Sequence, residues 1–406
     1  MEYQISSKAK RTIIATVIVG LLLFIVGAIA DSGSEQFKTR LLSNFLIDGF
    51  FFFAIALGAL FFLALQYATE TGWSVAIKRV VEGVASYVQV GIVVLLVVFA
   101  VIAAMSGGYS VAENGHHVGH IYQWMDPEIV AHDHIIANKA PFLTQPFFWI
   151  ATLVYMTVYF LFYKGFRKRS LQEDIEGGTA IHMKNFAKGA LFLVLFGYFS
   201  STSSWHWIMS IDPHWFSTLF GWYTFGGMWC TSMTTIMLVI IYLKKNGYLE
   251  KVNDSHVHDV GKWIFATSFL WSYLFFSQFM LYWYADIPEE VIYYTFRIEN
   301  YPAIYWGMFM INFIIPMLIL MSREAKRNPG ILMTVCVIII LGHWADVYML
   351  ITPGSMGEYG SIGMIEIGLF LTFAGVFTYF ILNTLTKAPL MPKNHPYLDE
   401  SKHHEI

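Results

Sequence analysis

The chain has 406 residues, of which 56% are hydrophobic and only 13% charged. Soluble globular domains carry about 25% charged residues, so this composition excludes a protein with an ordinary water-facing surface. The net charge of −3, with no basic tract, lends no support to a nucleic-acid partner.

In chain order, apolar segments of the length that crosses a bilayer, about 20 residues, lie near 12–30, 41–67, 83–106, 143–164, 186–210, 215–243, 261–285, 302–321, 331–351 and 362–386. Ten transmembrane helices are expected, in an all-α integral membrane protein whose residues 1–406 form a single polytopic domain. The first segment lacks a small-residue cleavage site after a short apolar core and reads as a retained helix. The fifth segment ends in "WHWIMSIDPHW" and the ninth in "GHWADVYMLITP". Each pairs His with Trp and then reaches a Pro, four helices apart on the same face. This faint repeat suggests two four-helix bundles, helices 2–5 and 6–9, flanked by helices 1 and 10.

Of the 25 lysines and arginines, only Lys38, Arg40, Lys139 and Arg297 fall in the segments read as outer. The positive-inside rule then places both termini in the cytoplasm, with 388–406 as a cytoplasmic tail of a multi-pass membrane protein. Cys230 and Cys336 sit in apolar helices without a CxxC or CxxCH pattern. They encode neither a haem attachment nor an iron–sulfur or zinc site, and read as small packing residues. One outer loop is long, 107–142. It holds His116, His117, His120, His132 and His134 with Asp126, Glu128 and Asp133. Imidazoles are common metal ligands, but no His-x-x-x-His with a neighbouring acid occurs and no cysteine joins them. The alternative is a structured outer platform for partner subunits, anchored by Tyr122 and Trp124 at the interface, where amphipathic aromatics concentrate.

Ionisable and polar side chains inside the apolar segments gather toward the outer ends. Asp48 lies on helix 2, His206 on helix 5, Gln278 and Tyr282 on helix 7, His343 and Asp346 on helix 9, and Glu366 on helix 10. Comparable groups are not expected in the inner half. An unpaired polar group in hydrocarbon costs several kcal/mol, so these residues either pair between helices or line a proton pathway. His343 and Asp346, three apart, share a helix face. Toward the inside, the hydroxyls of "CTSMTT" (Cys230–Thr235) on helix 6 and of "SSTSS" (Ser200–Ser204) on helix 5 could hold water, or simply allow close helix contact.

The stretch "WIMSIDPHWFSTLFGWY", Trp207–Tyr223, together with "HWADVYMLITP", resembles the ActF-type membrane subunits of bacterial alternative complex III. These belong to the wider group of NrfD/PsrC-like polytopic membrane anchors. The resemblance spans nearly the whole chain and implies a respiratory quinol oxidoreductase of which this would be a non-catalytic subunit. Haems and iron–sulfur clusters would sit on partner subunits, beside an ActC-like quinol-binding membrane subunit, with a terminal oxidase as a further candidate partner, all among the lipids of a bacterial inner membrane. Asp346 matches the motif Asp of the ninth helix, a proton-path position. The resemblance implies that Asp212, Pro213, His214 and Trp215 form the outer turn between helices 5 and 6, with Asp212 a further proton-pathway candidate. His206 stands where relatives often carry Asp. A quinol pocket of this chain's own near Asp48 and His206, a pure scaffold, and a secondary transporter are the competing readings; for the last, the acidic and imidazole groups lie above the midplane rather than at it.

Overall fold

The computed structural model describes residues 3–105 and 121–405. His116, His117 and His120 lie outside the described residues. The chain is a helical membrane protein. Nine helices among the described residues are long and apolar enough to cross a bilayer: α1 (Ser7–Asp31), α2 (Phe37–Ala68), α3 (Trp73–Met105), α4 (Gln145–Glu176), α6 (Leu219–Lys245), α7 (Asp254–Ala285), α8 (Pro302–Leu320), α9 (Pro329–Tyr359) and α10 (Met364–Leu385). Between α4 and α6 lies α5 (Ala180–Trp207). Its 28 residues reach about 42 Å, longer than a bilayer core, but its hydroxyl-rich end "SSTSSWHW" makes it less apolar than the rest.

The central helix is α2, whose apolar residues run almost continuously from Leu46 to Ala64 and are buried all round. A helix apolar on every side belongs in the middle of such a bundle. It touches α3, α5, α6, α9 and α10. α4 packs on α5, and α6 packs on α7 and α9. By contrast, α1 leaves Ile14, Ile18, Leu22 and Ile29 exposed, an apolar face suited to lipid.

α1 is attached through α10 at a glycine contact. A Cβ on Gly368 would lie 2.4 Å from the Phe24 backbone nitrogen and 2.8 Å from the Gly20 carbonyl oxygen. Backbone cannot yield, so small residues here set the approach of the two helices. Gly368→Val is expected to cost about 1–3 kcal/mol and to loosen α1, read as lost disulfide cross-linking between cysteines placed on α1 and α10.

Pro316 occupies a disturbed helix. It lacks an N–H and its ring would press on the carbonyl four residues back; the turn Met310–Ile314 widens into a π-helix just before it. Such π-turns relieve the clash within an otherwise continuous helix.

Two expectations fail here. Tyr122 and Trp124 are not interface anchors: both are buried. Their rings pack on Phe148, and the Tyr122 hydroxyl donates to the Trp207 carbonyl at 2.6 Å. Nor is the half of the bundle read above as inner free of ionisable groups. Lys78, Arg79, Glu82 and Glu173 are all buried at the end of the bundle opposite Asp346. Arg79 donates to Glu82 at 2.8 Å and to Asp174 at 2.5 Å, and Lys78 to Glu173 at 2.9 Å. Arg167 and Ser170 also donate to Glu82. The α3 segment carrying Lys78 and Arg79 folds inward because these ion partners on α4 satisfy it, whereas unpaired cations would have stayed in water.

Candidate functional site

α9 carries both His343 and Asp346, and the two are buried. His343 Nδ1 stands 3.7 Å from Asp346 Oδ2, near enough to interact but too far for a hydrogen bond. The carboxylate is held instead by aromatic donors from two other helices. The Trp271 Nε1–H of α7 donates to Oδ2 at 2.9 Å, and the Tyr223 hydroxyl of α6 donates to Oδ1. Neither ring nitrogen of His343 makes a hydrogen bond, although the Trp271 ring meets its ring edge to face at 5.2 Å.

Asp346 lines two separate small cavities. One, about 20 Å³, lies among Gln278, Tyr293, Arg297 and Tyr305 on the side of the Asp212–Trp215 turn, the side read above as outer. The second, of similar size, lies among Thr224, Gly227, Thr231 and His343. Each is large enough for about one water, and polar partners are present in both. Thr235 follows Thr231 by one helical turn, roughly 6 Å further along. It lines a third cavity of about 500 Å³ that reaches Ser6, Lys8, Tyr242 and Asn246 at the end of the bundle that carries the N-terminus. The Thr235 hydroxyl has no hydrogen-bond partner.

The other sequence-read positions separate into distinct environments. Asp212 accepts from Arg297 at 2.8 Å. That arginine is buried, stands 3.4 Å over the Tyr293 ring, and lines the outer cavity beside Asp346. Tyr293 in turn stacks on Trp215 at 3.8 Å, so the Asp212–Trp215 turn is clamped to the outer helix Pro288–Asn300. Gln278 shares the outer cavity, while the Tyr282 hydroxyl donates to the Phe216 carbonyl at 2.6 Å. Asp48 stands apart, accepting from Trp344 Nε1 at 2.8 Å with its second oxygen unpartnered. His206 stacks on Phe142 at 4.0 Å and meets the Tyr155 hydroxyl at 3.3 Å. The third cavity's lining includes neither Asp48 nor His206.

Glu366 is fully engaged. Arg40 donates to both its oxygens at 2.8 Å, Asn44 to Oε1 at 2.8 Å and the Gly363 N–H to Oε2 at 2.8 Å. A carboxylate held by so many donors from α2 is suited to fasten α10 to α2. The hydroxyls of Thr202, Ser203 and Ser204 donate back to carbonyls of their own helix.

Outside the membrane-spanning helices, the Asp212–Trp215 turn has a second brace. Lys139 donates to the Pro213 carbonyl at 2.5 Å and His214 contacts Asp133 at 2.5 Å. Partial burial opposes the charge on Asp133, yet the Ile136 N–H and His214 hold its carboxyl below the usual range.

Sequence reading missed Tyr223, Trp271 and Arg297. Tyr and Trp in apolar helices read as packing, and nothing local reveals that their polar tips converge on a carboxylate 123 and 75 residues away. No protein-family model matches the chain, and no curated protein matches it.

Proposed function

We propose that this chain is a membrane subunit of a bacterial quinol-oxidising respiratory complex of the alternative complex III type, and that it carries protons through Asp346. In this reading the quinol site and the haem and iron–sulfur centres belong to partner subunits, including an ActC-like one. The chain lies in the inner membrane with both termini in the cytoplasm.

The observation that carries the proton reading is the position of Asp346 between two water-sized cavities. The outer one runs toward Arg297 and Asp212; the inner one reaches Thr231, and Thr235 one turn on opens to the large inner cavity. A carboxylate with a buried imidazole 3.7 Å away can take a proton from water on one side and release it on the other. Membrane-embedded ionisable groups are costly, so a pair bordered by water-sized cavities on two sides is better explained by transfer than by packing alone.

The proposed architecture counts α5 as a tenth span. Helices α2–α5 then make one four-helix bundle and α6–α9 the second, with α1 and α10 paired outside. Contacts of α2 with α3 and α5, of α4 with α5, of α6 with α7 and α9, and of α1 with α10 support it. The resemblance of Trp207–Tyr223 to the ActF-type subunits supports the assignment to that complex.

Mild-detergent purification through a tag on this chain tests the assignment. The expected result is a co-purifying assembly with haem absorbance that oxidises a quinol. Isolation of the chain alone, active in solute exchange after reconstitution, would favour a secondary transporter.

A further inference from the structure

At the opposite end of the bundle from Asp346, three potential metal ligands come together from distant parts of the chain. Glu173 lies in the last turns of α4, His182 in the first turn of α5, and His395 in the segment after α10. One ligand atom from each lies within 4.8 Å of the others, and all three residues are buried. We propose that Glu173, His182 and His395 form a binding site for a divalent transition metal, zinc fitting best, that fastens the C-terminal segment to the α4–α5 hairpin.

Several observations beyond proximity point to a ligand. Only 3% of His182 is exposed, and neither of its ring nitrogens makes a hydrogen bond. An imidazole buried in that condition has lost water at both nitrogens with nothing gained in return. Glu173 Oε1 is also unpartnered, while Lys78 donates to its other oxygen at 2.9 Å. Ligating carboxylates are commonly oriented in this way, one oxygen on the metal and the other accepting from a neighbouring donor. The His395 ring meets the His182 ring edge to face at 5.1 Å, and its Nδ1 accepts from the Tyr397 N–H at 3.2 Å, a contact long enough to yield to a metal or to the other tautomer.

A fourth ligand is within reach. Glu70 Oε1 stands 3.6 Å from His182 Nε2 on the more exposed side. Two imidazoles and two carboxylates form a nitrogen–oxygen set compatible with tetrahedral zinc, whose bonds to such ligands are about 2.0–2.2 Å. The two carboxylates also balance the charge of the ion, which matters beside Lys78. Calcium and magnesium prefer all-oxygen shells, so the imidazoles favour a transition metal.

The test uses the full-length chain in its native detergent-solubilised state, stripped with chelator and titrated with Zn²⁺ alone. Calorimetry is expected to give one site per chain with a dissociation constant below about 1 µM. His182→Gln and His395→Gln are each expected to weaken it at least tenfold, and Zn²⁺ to protect the bond region after Leu385 from protease in the wild type only. No saturable binding by the wild-type chain, or equal binding by both variants when they elute as the wild type does, would overturn the proposal.

Discussion

Glu82→Gln is expected to lower the stability of the protein by about 3–5 kcal/mol, the usual cost of stranding buried charge. Glu82 is wholly buried and accepts from Arg79, Arg167 and Ser170. Glutamine keeps the volume but removes the negative charge, so Arg167 loses its carboxylate and Arg79 retains only Asp174 and the Ser170 carbonyl. Replacing Arg167 by Gln in the same background removes one stranded cation and is expected to recover part of the loss. The apparent unfolding temperature in detergent, compared across wild type, both single variants and the double variant, checks this. Unfolding of Glu82→Gln at the wild-type temperature would mean that water already reaches the network.

Asp346→Asn is expected to leave the fold nearly intact and to slow proton transfer at least about tenfold. Asparagine retains one oxygen to accept from Trp271 or Tyr223, and its amide can donate to the Tyr223 oxygen. What it lacks is an ionisable carboxyl able to take up and release a proton. In proteoliposomes of the assembled complex, quinol oxidation without a membrane potential should proceed near the wild-type rate while proton movement per quinol falls. Equal loss of both would place Asp346 in the assembly of the quinol site; loss of neither would favour the scaffold reading.

The membrane-spanning character of the chain was legible because hydrocarbon imposes a simple rule, about 20 apolar residues per span. The tests of that rule differ mainly at α5, where the hydroxyls of Ser200–Ser204 dilute the signal. Asp346 and His343 were legible as a pair because helix geometry places residues three apart on one face. Their partners were not, since Tyr223 and Trp271 lie on other helices and their packing was invisible to local pattern. The buried network of Lys78, Arg79 and Glu82 was hidden for a related reason. A short charged run following an apolar helix ordinarily stays in water; here partners 95 residues along, Glu173 and Asp174, draw it inward. Glu366 illustrates the converse. Its depth suggested proton transfer, whereas Arg40 and Asn44, both on α2, give it an ion-pair environment.

The central claim is that Asp346 gains and loses a proton during turnover. Infrared difference spectroscopy of the assembled complex, recorded as added quinol reduces it, reads carboxyl protonation directly. A protonated-carboxyl C=O band is expected to change during turnover in the wild type and to be missing in Asp346→Asn. A difference spectrum in the carboxyl region that is the same in both proteins would contradict it.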